Sequence, residues 1–122
     1  MTDSKLRIDE RDVAGVTILT LAGEMSLDDG DLTFGRRVND LVSSGRVKIL
    51  VDLDAVTTID SSGVGMMAAK LKDVRRSGGD IRLMRLNTRN QRMLSVLKLR
   101  TVFEIFDDEA VALRSYEFRP HA

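Results

Sequence analysis

The sequence predicts a single α/β domain built on a mostly parallel sheet, and three observations carry that prediction. β-branched or nearly continuous apolar runs alternate with segments whose apolar residues recur at helical spacing. The apolar runs are short and lie between helices, as strands covered on both faces do. The chain has 122 residues, the length of one domain. Burial of about two-thirds of the unfolded surface is then expected without a covalent staple. One domain is expected over 1–122, with its core at about 6–116 and a loose tail at 117–122.

The elements follow in order. Leu6 to Ile8 reads as a short edge strand. Val13 to Leu21 (VAGVTILTL) is β-branched and alternating, which predicts a second strand hairpinned to the first. Glu24 to Gly30 is polar and reads as a loop. Leu32, Phe34, Val38, Leu41 and Val42 then repeat at helical spacing until Ser43-Ser44-Gly45 ends the helix. Val47 to Leu53 (VKILVDL) is a buried-strand pattern. Val64, Met67, Ala68, Leu71 and Val74 form the stripe of the next helix, Val64 to Arg76, closed by Gly78-Gly79. Ile81 to Leu86 is a further strand. Asn87 or Thr88 caps a helix carrying Met93, Leu94, Val96 and Leu97. Thr101 to Phe106 is a last strand, and Asp107-Asp108-Glu109 opens a final helix reaching about Tyr116.

Composition excludes several function classes. Nineteen basic residues balance nineteen acidic ones, so bulk electrostatic binding to nucleic acid or an anionic membrane is not expected. The absence of cysteine excludes disulfides, thiol catalysis and cysteine–zinc sites, and fits a cytoplasmic protein. The start MTDSKLRIDERD has no apolar core of a signal peptide, and no run reaches the length of a membrane span.

In an open parallel sheet, function gathers at the loops leaving the C-terminal strand ends. Asp60-Ser61-Ser62-Gly63-Val64-Gly65 is such a loop, with Gly23–Gly30 as its candidate neighbour. It opens a helix, where backbone N–H groups point outward and the dipole favours negative charge. A phosphate on a serine hydroxyl there is tolerated by the fold and visible to a partner. The plain alternative is that Ser61 or Ser62 caps the helix. Gly63 and Gly65 let the helix start close to the sheet.

Other features have structural readings. Asp52 and Asp54 fit the polar edge of a strand end. Met66, Met67 and the other methionines fit core filling. Arg75, Arg76, Arg82, Arg85, Arg89 and Arg92 fit solvated faces, several of which could line a partner surface. Gly63 to Ala68 satisfies the G-x-G-x-x-A outline of a dinucleotide turn. Against it, the chain lacks room for a second half, and no acid follows at the end of Ile81 to Leu86. The lone histidine, His121, lies in the tail and anchors no triad. No catalytic residue, metal site or cofactor is expected.

The run VDLDAVTTIDSSGVG, an amphipathic helix, GGDIRLMRLN, a helix ending in VLKL and then TVFEIFDDEAVAL together resemble the STAS domain, in particular the stand-alone bacterial anti-sigma factor antagonists. The resemblance covers roughly Val13 to Tyr116. It implies a regulatory protein that works by partner switching. Its partner would be an anti-sigma factor that is itself an ATP-dependent serine kinase, with a phosphatase to reset the switch. The family's phosphorylated serine maps onto Ser62, with Ser61 as the alternative. The implied contact surface is Asp60, Ser61, Ser62, Gly63, Val64 and Gly65, with Ser26 and Asp28 beside them. The family's Gly-Glu-hydrophobic-Asp element stands here as Gly23-Glu24-Met25-Ser26, a serine replacing the acid. A second reading keeps the fold without phosphorylation, as a regulatory subunit of a signalling scaffold or a lipid-trafficking ABC system.

Overall fold

The computed structural model describes residues 5–27 and 30–117. The elements run β1 Leu6–Val13, β2 Val16–Met25, α1 Gly30–Ser43, β3 Lys48–Ile59, α2 Ser61–Arg76, β4 Asp80–Met84, α3 Thr88–Val96, β5 Ile105–Phe106 and α4 Glu109–Arg114. The five strands form one sheet in sequence order. β1 is antiparallel to β2, and every other pair is parallel. Asp28, Asp29 and the tail from Phe118, His121 included, lie outside the described residues.

Strand parity sorts the core into two layers. Leu19, Leu21, Ile49, Val51, Leu53, Ile81 and Leu83 face Phe34, Val38 and Leu41 of α1, Val64, Met67, Leu71 and Val74 of α2, and Leu94 of α3. Val16, Ile18, Leu50 and Met84 face the other way and pack on Ala112, Leu113 and Tyr116 in and after α4. Tyr116 closes this smaller layer. Its hydroxyl lies 2.6 Å from the Ile49 carbonyl oxygen and 2.7 Å from that of Asp80, and shares its one proton between them. The Arg82 guanidinium sits 4.0 Å above its ring. Burial, reinforced by the Asp80 charge, pushes the phenol well above its ordinary value of 10.0.

Several element bounds differ from expectation. The Val13–Leu21 run contains a hairpin turn: Val13 pairs with Val16, and Ala14 and Gly15 take φ of 53° and 82°. Two successive positive φ values give the twist that a two-residue hairpin requires. β1 therefore extends to Val13 rather than ending at Ile8. β2 continues through Gly23 to Met25 and α1 starts at Gly30, so both ends of the expected Glu24–Gly30 loop belong to regular elements. β3 runs past Leu53 to Ile59 because β2 continues beside it, with register shifts after Thr20 and after Gly23. The expected strand Thr101–Phe106 reduces to Ile105–Phe106, which pair with Leu83 and Met84 at the end of β4. The displaced Phe103 goes into the core instead. Asp52 is buried rather than a polar edge: it accepts the Asp54 N–H and pairs with Arg85.

Candidate functional site

The site forms where β2 and β3 end side by side. Met25 pairs with Ile59, and the Met25 carbonyl accepts the Asp60 N–H at 3.2 Å. Both neighbouring helices begin against this point. A Cβ on Gly63 would lie 2.3 Å from the Met25 carbonyl oxygen, and one on Gly30 would lie 2.3 Å from the Glu24 carbonyl oxygen. Only glycine permits either approach. The Gly63 contact also answers the dinucleotide outline, because its closeness serves the protein's own backbone. Gly65, by contrast, faces open space.

Beyond Met84 the outer side of β3 has lost its strand neighbour, and α3 takes over. Asn90 is 1% exposed; its Oδ1 accepts the Ile59 N–H at 3.1 Å and its Nδ2 donates to the Val56 carbonyl at 3.0 Å. One amide side chain thus supplies the donor and acceptor that a strand would. Asn87 caps α3 by accepting the Asn90 N–H at 2.7 Å and donates to the same Val56 carbonyl.

Asp60 is the N-cap of α2. Its Oδ1 accepts the Gly63 N–H at 2.9 Å, and its Oδ2 accepts the Leu27 N–H at 3.1 Å. The expected proximity of the two loops is thereby present as a bond. The cap belongs to Asp60, so the reading of Ser61 or Ser62 as cap is corrected. Ser61 is exposed and Ser62 half-buried at the first turn. Among the described residues neither hydroxyl has a hydrogen-bond partner, and nothing accepts from the backbone N–H of Ser61 or Ser62. No acidic side chain occupies this first turn. Two hydroxyls and two backbone donors without a partner among the described residues therefore stand together at the positive end of a helix of 16 residues.

Two expected contact residues are corrected by burial. Gly63 and Val64 face inward, Val64 with no exposed surface, and serve packing. Ser26 is half-buried, and its carbonyl accepts the Asp31 N–H at 3.1 Å, fixing the start of α1. Sequence reading missed Leu27 and Leu32, exposed at 67% and 47% beside Asp60 and in the first turn of α1. Leu27 has no signal beyond a leucine inside a polar stretch, whereas Leu32 is a correction: the expected apolar stripe of α1 included it, and it meets solvent in the first turn instead. Among the described residues no group of three or more His, Cys, Asp or Glu is placed to hold a metal ion, and no helix is long and apolar enough to cross a membrane.

Comparison with known proteins agrees with this fold. The family model for the STAS domain matches residues 7–112. A protein of Thermotoga neapolitana, provisionally described as an anti-sigma factor antagonist, is 31% identical over 107 residues, covering 88% of this chain and 95% of its own. The anti-sigma F factor antagonist of Paenibacillus polymyxa is 26% identical over 112 residues, covering 92% and 96%. The Bacillus cell-fate determinant SpoIIAA, in its phosphorylated form, shares the fold with a TM-score of 0.71 at 16% identity, over 91% of this chain and 100% of its own. With a family match over residues 7–112 and a relative 31% identical over most of both chains, the chain belongs to the STAS-domain family, among the anti-sigma factor antagonists.

Proposed function

We infer that this protein binds an anti-sigma factor of the serine-kinase type through the 26–27 loop, Asp60, Ser61, Ser62 and Gly65. Leu27 and Leu32 supply the apolar contacts beside them. The kinase transfers the γ-phosphoryl group of its ATP to the Ser62 oxygen and takes up the hydroxyl proton, ADP leaving. A phosphatase reverses the step by hydrolysis. The protein contributes no catalytic group and works in the cytoplasm.

The observation that carries this reading is the division of labour at the turn. Asp60 performs the capping, so either serine hydroxyl can be modified without dismantling the helix start. Exposure alone favours Ser61; the family position selects Ser62. The energetics favour a switch of affinity over a switch of fold. A phosphate at this helix end gains about 0.3–1 kcal/mol from the dipole. At a docked interface nearly two added charges must be desolvated beside the Asp60 carboxylate. A penalty of about 3 kcal/mol there weakens binding more than a hundredfold.

The test is intact-mass and peptide-mapping mass spectrometry of the protein from its own host. One phosphate on Ser62 in part of the population is expected. A chain that stays unmodified across growth conditions would remove the phosphorylation step and leave a constitutive binding subunit.

A further inference from the structure

Away from this turn, the C-terminal half of α2 borders an open groove of about 480 Å³, lined by Ala68, Leu71, Lys72, Arg75, Arg76 and Val102. Its floor is apolar: Leu71 is buried, and Ala68 and Val102 are half-buried. Its rim is cationic. Arg75 is held in place, donating from Nε to Asp80 at 2.9 Å and from its guanidinium to the Val102 carbonyl at 3.1 Å. Lys72 and Arg76 are different. They stand four residues apart, on the same side of the helix. Both are exposed, and among the described residues neither has an ion-pair or hydrogen-bond partner. Nearby Lys70 does have them, in Asn39 and Asp73.

We propose that this groove binds a single-chain carboxylate amphiphile, a free fatty acid of medium chain length, with the acyl chain on Ala68, Leu71 and Val102 and the carboxylate between Lys72 and Arg76. Two facts select this occupant. The volume falls in the range of small-molecule sites, whose lining is mostly apolar with few polar groups that fix orientation. Among the described residues, the groups at the rim without a partner are two cations on one side, which suit an anionic head at one end of an apolar body. The groove extends from Ala68 to Arg76, about 12 Å along the helix, which suits an elongated ligand. Lys72 lies about 15 Å along α2 from Ser62, so this site is separate from the proposed phosphorylation switch and stands without it.

The experiment is an amide-resolved NMR titration of the full chain with sodium decanoate kept below its micellar concentration, with decanol as the uncharged arm. Saturable shifts confined to α2 from Ala68 to Arg76 and to the loop around Val102 are expected, with decanol binding more weakly. Lys72→Gln with Arg76→Gln should weaken decanoate binding about tenfold while leaving decanol unchanged. Both residues are exposed, so the double variant should keep its thermal midpoint. No saturable shift, equal binding of decanol, shifts centred on Ser61–Gly65, or an unaltered affinity in the double variant would each overturn the proposal.

Discussion

The Asp60 carboxylate accepts the backbone N–H of Leu27 at 3.1 Å across 33 residues of chain. The same side chain caps α2 through Gly63. One residue therefore sets the helix start and holds the adjoining loop against it.

Asp60→Ala should lose both bonds. A lost cap costs about 1 kcal/mol, and release of the loop adds to it, so denaturant unfolding should show a loss of about 1–2 kcal/mol. Asp60→Ser separates the two roles. Serine can cap α2 but is too short to hold Leu27, so stability should be largely retained while partner affinity falls. Equal affinity of Asp60→Ser and wild type in calorimetry would show that the loop needs no tether.

Leu27→Ser and Ser62→Asp should each weaken anti-sigma binding without unfolding the domain. Leu27 is exposed, so its removal leaves no cavity, and stability should change by less than about 0.5 kcal/mol. An apolar interface anchor of this kind contributes about 2 kcal/mol, near thirtyfold in affinity. Ser62→Ala should bind constitutively. Surface plasmon resonance of the three variants against one anti-sigma factor measures all of this, and equal affinity of Ser62→Asp and Ser62→Ala would sink the switch.

Asn90→Ala should be the most damaging of these changes. It removes the partner of the Ile59 N–H inside the protein and one of the two donors to the Val56 carbonyl. The expected loss is about 2–4 kcal/mol, read as a fall in urea midpoint. Hydrogen exchange should show the Ile59 amide opening well before those of Ile49 to Val51.

Tyr116 predicts an alkaline limb of stability. Its phenol holds its proton more tightly folded than unfolded, so the folded chain binds more protons above pH 10.0. The stabilisation is complete below that pH and is lost as pH rises toward the raised folded-state value. Tyr116→Phe should flatten this limb and cost about 1 kcal/mol at neutral pH. The chain has one tyrosine and no tryptophan, so phenolate absorbance follows the event directly.

How far the sequence could be read depended on what each residue's neighbours repeat. The helices α1 and α2 were legible because their apolar residues recur every three or four positions. Asn87 was legible as a cap. The extension of β3 was not: Asp54, Ala55 and Thr57 are exposed and look like loop, and the strand there is held by β2 and Asn90. The residues Asp60 to Gly65 were legible as a pattern, but which of them face inward was not. Val64 points into the core because it is the fourth residue of a helix whose stripe it begins. Leu27 lies beyond any period, and its importance comes only from the carboxylate opposite it.

Gly63 and Gly30, each pressed onto the backbone at the end of β2, make that strand end a common abutment for two helices. The consequence is a division of the turn into an alphabet that can be rewritten and one that cannot. A library meant to redirect this domain to a different regulator has usable letters at Ser26, Leu27, Leu32, Ser61 and Gly65, where side chains meet solvent or open space. Randomising Gly63 would return no new specificities, only chains in which α2 is lifted off the sheet.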